Sequence, residues 1–269
     1  MKPAAVFFDL GDTLIFAAHA PDPEIVFPQM AQQVQPLLDE WGASVKADLA
    51  DLLNEIYRAV EIAQPARRAR GFEVDGAFIA RGALASYGAD ISEEQASDLW
   101  RASAIDYPTW GGQLYPDTLD TLARLHALSI PTTCVSNNWN DSAAMRRQLR
   151  SLAVPDELLP SLVSSTDVMR VKPRAEPFER ALEIAGVGAA DVIFVGDEFE
   201  ADVRGGKALG MTTVWKLNGR HDMPSAPEAD YMIQDLWELF TLGLFPDDAM
   251  PALSAESLTP HEDKNADRY

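Results

Sequence analysis

The chain has 269 residues, 47% of them hydrophobic, and a formal net charge of −20 from 42 acidic and 22 basic residues. That charge argues against a nucleic-acid backbone or an anionic membrane surface as partner, yet it leaves room for a small anionic substrate where a metal ion inverts the local field. A single cysteine, Cys134, excludes an internal disulfide. No stretch approaches the length of a transmembrane helix and the N-terminal apolar run is too short for a signal peptide, so the expectation is a soluble, cytoplasmic protein.

Taken in order, Val6-Phe7-Phe8 runs straight into Asp9-Leu10-Gly11-Asp12-Thr13-Leu14. A short apolar run of this kind reads as a buried strand of a parallel sheet. The charge at its carboxyl end then sits where open α/β sheets bind ligands. Residues 19–28 read as a proline-bearing loop. Helical spacing follows: Phe27 to Trp41, closed by Gly42; Leu49 to Val60; Ala77 to Tyr87, closed by Gly88; and a fourth helix opened by the capping box Ser92-Glu93-Glu94-Gln95. With no strand signal among them, these segments form a small helical bundle.

The rhythm then changes to strands alternating with helices. A helix at Asp117 to Leu128 precedes the β-prone run Thr132 to Val135. A helix at Asp141 to Leu152 precedes a short strand at Leu162-Val163. Pro177 suits the first position of a helix closed by Gly186. Val192 to Val195 is another buried strand, followed by a helix to Leu209, then strands at Thr212 to Trp215 and Tyr231 to Ile233. This is the pattern of an α/β fold with a mainly parallel, Rossmann-like sheet. The helical bundle reads as an insert after the first strand. The expected division is a core of residues 1–16 and 113–245, an inserted α-helical cap of 17–112, and a disordered tail of 246–269 that is polar and aperiodic.

Three of these strands end in polar residues: Asp9, Ser136 and Gly196-Asp197, with Asp202 five residues beyond the last. Lys172-Pro173 lies between the second and third. A parallel sheet brings the strand ends to one edge. Close carboxylates repel unless a cation lies between them, and a few hard oxygen ligands with room for water suit Mg²⁺. A lysine there would balance a bound phosphate and a carboxylate nucleophile. Singly, each residue also has a plainer role: Ser136 as a helix cap, Lys172 as a solvated lysine, Asp202 at the positive end of a helix.

The ordered set resembles the haloacid dehalogenase-like (HAD) hydrolase superfamily, in its type-one subgroup with a helical cap. The matching motifs are Asp9 to Leu14, Ser136, Lys172-Pro173, and Gly196-Asp197 with Asp202. The resemblance implies attack of Asp9 on phosphorus and hydrolysis of the resulting aspartyl-phosphate by water. It implies catalytic roles for Asp9, Ser136 and Lys172, and phosphoryl binding by Ser136, Asn137 and Lys172. It also implies Mg²⁺ held by Asp9, the Gly11 carbonyl, Asp197 and Asp202, with Asp202 orienting the metal site or Lys172, and Thr13 supporting the loop. The implied activity is a phosphatase acting on a small phosphorylated metabolite.

The chain departs from this pattern at position 11. The second aspartate of the first motif, usually the general acid and base, is glycine here, and a carboxylate stands one residue later as Asp12. Asp12 and His19 are the nearest candidates for a replacement acid. Two alternatives accompany the phosphatase reading: a metal-independent 2-haloacid dehalogenase, and a non-catalytic HAD-fold binding protein. In the cap, Arg67, Arg68 and Arg70 could reach a substrate carboxylate or second phosphate, although a solvated helix end is the simpler reading. Trp110 and Tyr107 read as cap–core packing that could also wall the site.

Overall fold

The structure, a computed structural model, describes residues 2–220 and 228–245. The tail expected at 246–269 lies outside the described residues.

The chain opens with β1 (Ala5–Phe8) and β2 (Ile15–Ala17), then passes through α1 (Pro23–Glu40), α2 (Leu49–Arg68), α3 (Gly76–Ser86), α4 (Glu93–Ala102) and α5 (Tyr107–Trp110). It returns through β3 (Gly112–Leu114), α6 (Thr118–Ala127), β4 (Thr132–Ser136), α7 (Ser142–Ser151), β5 (Ser161–Ser164), α8 (Ser165–Val168) and α9 (Ala175–Ala185). β6 (Val192–Gly196), a π-helical turn (Phe199–Arg204), α10 (Gly205–Ala208), β7 (Thr212–Lys216) and β8 (Tyr231–Ile233) complete the sheet, and a 3₁₀ segment (Leu236–Thr241) follows.

Six strands form one parallel sheet in the order β5-β4-β1-β6-β7-β8. The fold is α/β and Rossmann-like. β1 lies at the centre, between β4 and β6, where the chain changes its direction of growth and where such sheets bind ligands. β1 is buried throughout, and the strand's period of two divides its side chains between the sheet's faces. Val6 and Phe8 pack with Leu122 and Leu125 of α6 and Met145 and Leu149 of α7. Ala5 and Phe7 pack with Phe178 and Ala181 of α9. Burying each large apolar side chain contributes about 1.5–3 kcal/mol, which is why this run is a central strand.

α1 to α4 have a separate core built from Val26, Met30, Val34 and Leu38 of α1 with Leu53, Ile56 and Val60 of α2 and partners on α3 and α4. The capping box at Ser92 is present, with Ser92 Oγ accepting from Gln95 N at 3.1 Å and Gln95 Oε1 accepting from Ser92 N at 2.9 Å. The expected loop over 19–28 is shorter. α1 begins at Pro23 behind an Asp22 cap and runs through Pro28 and Pro36. Both prolines face solvent while Val26, Met30, Val34 and Leu38 are buried. Burial of that stripe outweighs the two missing backbone hydrogen bonds. β2 and β3 escaped the sequence pattern; they pair antiparallel where the chain leaves for the helices and returns. α9 starts at Ala175, so Pro177 lies within its first turn rather than at its first position. The helix expected after Asp197 begins as the π turn. Among the described residues, no helix is long and apolar enough to cross a membrane.

Candidate active site

The residues singled out in the sequence meet at the carboxyl ends of β1, β4 and β6. Asp9 follows β1, and its N–H continues the ladder to Val195 O of β6 at 2.9 Å. Lys172 donates from Nζ to Asp9 Oδ1 and to Asp202 Oδ1, both at 2.6 Å, and all three residues are buried. Oxygen atoms of Asp9, Asp197 and Asp202 lie within 4.8 Å of one another.

Asn137, the residue after β4, brackets the main chain of Lys172. Its Oδ1 accepts from Lys172 N at 2.8 Å and its Nδ2 donates to Lys172 O at 3.2 Å. Asn137, expected as a phosphoryl-binding residue, engages the main chain of the lysine with both side-chain polar atoms. Ser136, at the end of β4, is buried and in register with Ser164 of β5. Asp202 is delivered by the π turn, a geometry that often marks functional sites. Its Oδ2 accepts from Glu198 N at 3.0 Å, so both of its oxygens are engaged. Gly196 permits this approach, since a Cβ there would overlap the Asp202 carboxylate.

Burial alone would pull the Lys172 ammonium down, but Asp202 and Asp9 outweigh it and hold the group above the usual lysine value. Burial pushes the Asp202 carboxyl up, with Lys172 opposing. Asp197 is pushed up to about 6 by burial and by the Asp9 charge, and Arg220 opposes that rise. Arg220 was not singled out in the sequence. It donates to Asp197 O at 2.7 Å and to Asp197 Oδ2 at 2.9 Å. It lies four residues beyond β7, in a stretch with no pattern to mark it.

Position 11 carries no carboxylate, and Asp12 does not take its place. Asp12 is exposed, with φ at +50°, a left-handed conformation that aspartate tolerates better than most residues. Its carbonyl accepts from Asn218 Nδ2 at 2.6 Å. His19 is exposed, with Nδ1 2.9 Å from Ala20 O, and the described contacts do not bring it to Asp9. Thr13 is buried, and its carbonyl accepts from Lys216 Nζ at 3.0 Å.

In the helical insert, Arg67 donates to Glu73 O and lies over the Phe72 ring. Arg68 pairs with the fully buried Glu73 at 3.0 Å and donates to Asn137 O at 3.3 Å. Arg70 is exposed. Glu73, unremarked in the sequence, also accepts from Ser165 Oγ at 2.6 Å, and Ser165 Oγ accepts from Asn138 N. Beside these residues, between the insert and the loop after β4, lies a cavity of about 280 Å³.

The profile of the haloacid dehalogenase-like hydrolases matches residues 3–210. The chain belongs to that family. It is 29% identical over 126 residues to a glyceraldehyde 3-phosphate phosphatase of Methanocaldococcus jannaschii, 46% of this chain and 54% of that protein. It is 29% identical over 164 residues to a phosphoglycolate phosphatase of Neisseria meningitidis, 56% of this chain and 68% of that protein. The match to the archaeal protein thus spans about half of that relative's length. The fold is similar to that of a HAD phosphatase from Thermococcus onnurineus, with a TM-score of 0.52 and 25% identity over 91% of this chain and 99% of the other. It is also similar to a 2-haloacid dehalogenase from Pseudomonas syringae, with a TM-score of 0.54 and 23% identity over 89% and 96%.

Proposed function

We propose that the protein is a Mg²⁺-dependent phosphatase acting on a small phosphate monoester through an aspartyl-phosphate on Asp9. The observation that carries this reading is the charge arrangement around Asp9. Three carboxylates, Asp9, Asp197 and Asp202, face two cations, Lys172 and Arg220. The net charge of minus one would become minus three with a phosphate dianion bound, a costly sum in a buried site. A divalent cation returns it to minus one. The donors are hard oxygens, which fits Mg²⁺. Asp9, Asp197 and the Gly11 carbonyl would hold it, with Asp202 the remaining carboxylate of the set. Bound there, the cation would offset charge on the phosphoryl oxygens.

The chain's own residues account for the rest. Lys172 holds Asp9 Oδ1, which leaves Oδ2 to attack phosphorus as the bond to the leaving oxygen breaks. Lys172 and Ser136 would bind the phosphoryl oxygens, and Asn137 fixes the lysine main chain. Asp202 keeps the ammonium oriented and charged. With no carboxylate at position 11, the leaving oxygen takes its proton from water. A second water then cleaves the phosphorus–oxygen bond to Asp9 and regenerates the carboxylate. Division into a core of 1–16 and 113–245 and a cap of 17–112 is part of this reading, as is a soluble, cytoplasmic setting. The same three buried carboxylates weigh against a metal-independent dehalogenase.

Phosphate release from an aryl phosphate tests the proposal. Release should require Mg²⁺, stop with EDTA, and fall to background in Asp9→Asn while the variant's circular dichroism stays native. Absence of release across a panel of phosphate monoesters, from folded protein with Mg²⁺, would sink it.

A further inference from the structure

The cavity between the helical insert and the loop after β4 bears on the leaving group. It begins one residue beyond Ser136: Asn137, which brackets Lys172, is part of its wall. Tyr107, from α5, is buried and also part of the wall. A phosphoryl group seated on Asp9 and Lys172 would therefore direct its ester substituent into this space.

Arg68 is the one charged residue among those lining the cavity. Its charge is already matched, because Glu73 lies 3.0 Å away and is fully buried. An anionic substituent would be desolvated there without an uncompensated cation to receive it. The remaining polar lining is uncharged amide: Gln64, Asn137, Asn138, Asn140 and Gln148. Buried polar atoms on these walls, Asn140 Oδ1 and Arg68 Nε among them, have no hydrogen-bond partner among the described residues. Buried polar atoms of this kind call for water or a ligand. The apolar part of the wall is aromatic. Trp139 meets both Trp110 and Tyr57 edge-on, at interplanar angles of 84°. Edge-on packing leaves no parallel slot for a flat heterocycle to be sandwiched, but it presents ring surface to an aliphatic C–H face. At about 280 Å³, the space lies just below the usual range for drug-sized ligands, about 300–1,000 Å³.

We infer that this cavity receives the neutral polyhydroxylated part of a sugar monophosphate, and that substrates with an anionic leaving group are disfavoured. Hydroxyls both donate and accept, which suits amides that present both kinds of atom, and the C–H face of a sugar packs on the aromatic wall. The inference rests on the phosphatase reading and deepens it.

The test compares kcat/KM of the full chain, with Mg²⁺, for a pentose or hexose monophosphate, phosphoglycolate and pyrophosphate, with an aryl phosphate as reference. The sugar phosphate should lead both anionic-leaving-group substrates by roughly tenfold or more. In Glu73→Gln the Arg68 charge loses its partner, and the ratio of phosphoglycolate to sugar phosphate should rise by roughly tenfold. Should that variant fail to fold, Trp139→Ala provides the second measurement: KM for the sugar phosphate should rise several-fold more than KM for pyrophosphate. Wild-type preference for phosphoglycolate or pyrophosphate overturns the inference and leaves the phosphatase reading standing, because the aryl phosphate is still hydrolysed. Equal KM effects of Trp139→Ala on the two substrates also overturn it. Loss of all activity, aryl phosphate included, in the wild-type protein overturns both.

Discussion

Glycine at position 11 removes a carboxylate but leaves space for one. A Cβ built there meets no atom within 4 Å, and Gly11 is not among the residues with positive φ. The left-handed turn is made at Asp12 instead. Gly11→Asp should therefore fold without strain and present a proton donor near the leaving oxygen. General acid–base assistance contributes a factor of about 10²–10⁴, and it matters most for poor leaving groups. The expected result is a kcat increase of about 10²-fold on an alkyl phosphate, with little change on an aryl phosphate whose leaving group needs no proton. Steady-state kinetics on the two substrates checks this, and an equal effect on both would count against an acid's role at this position.

At the scale of elements, β7 holds the loop that carries Gly11. Lys216, the last residue of that strand, is buried, reaches Thr13 O at 3.0 Å and lies over the Tyr115 ring. Burial lowers its ammonium from 10.5 to about 8, against the opposing charges of Asp117 and Asp197. Between those two values the unfolded chain binds more protons than the folded one, so stability from this group rises with pH across that window. A tenfold difference in proton affinity between folded and unfolded chain is worth about 1.4 kcal/mol. Relative to Lys216→Met, the wild-type protein should gain about 2 kcal/mol between about pH 7.5 and about pH 10, measured by urea unfolding at both values. A constant difference between the two proteins would contradict a buried, depressed lysine. β1 and β6 were legible in the sequence because burial on both faces leaves uninterrupted apolar runs, and β4 because Thr132 to Val135 is a run of β-prone residues. Asp9, Ser136 and Asp197 were legible because they end such runs. β2 and β3 are three residues long, too short to show a period. Pro28 signalled a loop because local propensity does not reveal which helical face is solvated. Arg220 and Glu73 have no periodicity or motif to mark them: each becomes part of the site through a partner distant in sequence, Asp197 for one and Ser165 for the other.

Across the whole molecule, a net charge of −20 means that any added salt relieves some repulsion, so stabilisation by Mg²⁺ must be separated from screening. The carboxylate cluster predicts a specific component. A ligand that binds only the native state stabilises by RT ln(1 + [L]/Kd), about 2.7 kcal/mol at a hundredfold excess over Kd, and each kcal/mol moves the midpoint of a chain this size by about 2–4 °C. Mg²⁺ at saturation should therefore raise Tm by roughly 5 °C or more beyond NaCl at matched ionic strength. Asp197→Asn removes a carboxylate that burial and Asp9 already disfavour, so the variant's own Tm should hold or rise while its Mg²⁺-specific increment disappears. Calorimetric scans of both proteins in the two salts separate the cases. Equal shifts with Mg²⁺ and NaCl would assign the stabilisation to the acidic surface, whereas an increment lost in Asp197→Asn assigns it to the cluster at the ends of β1 and β6.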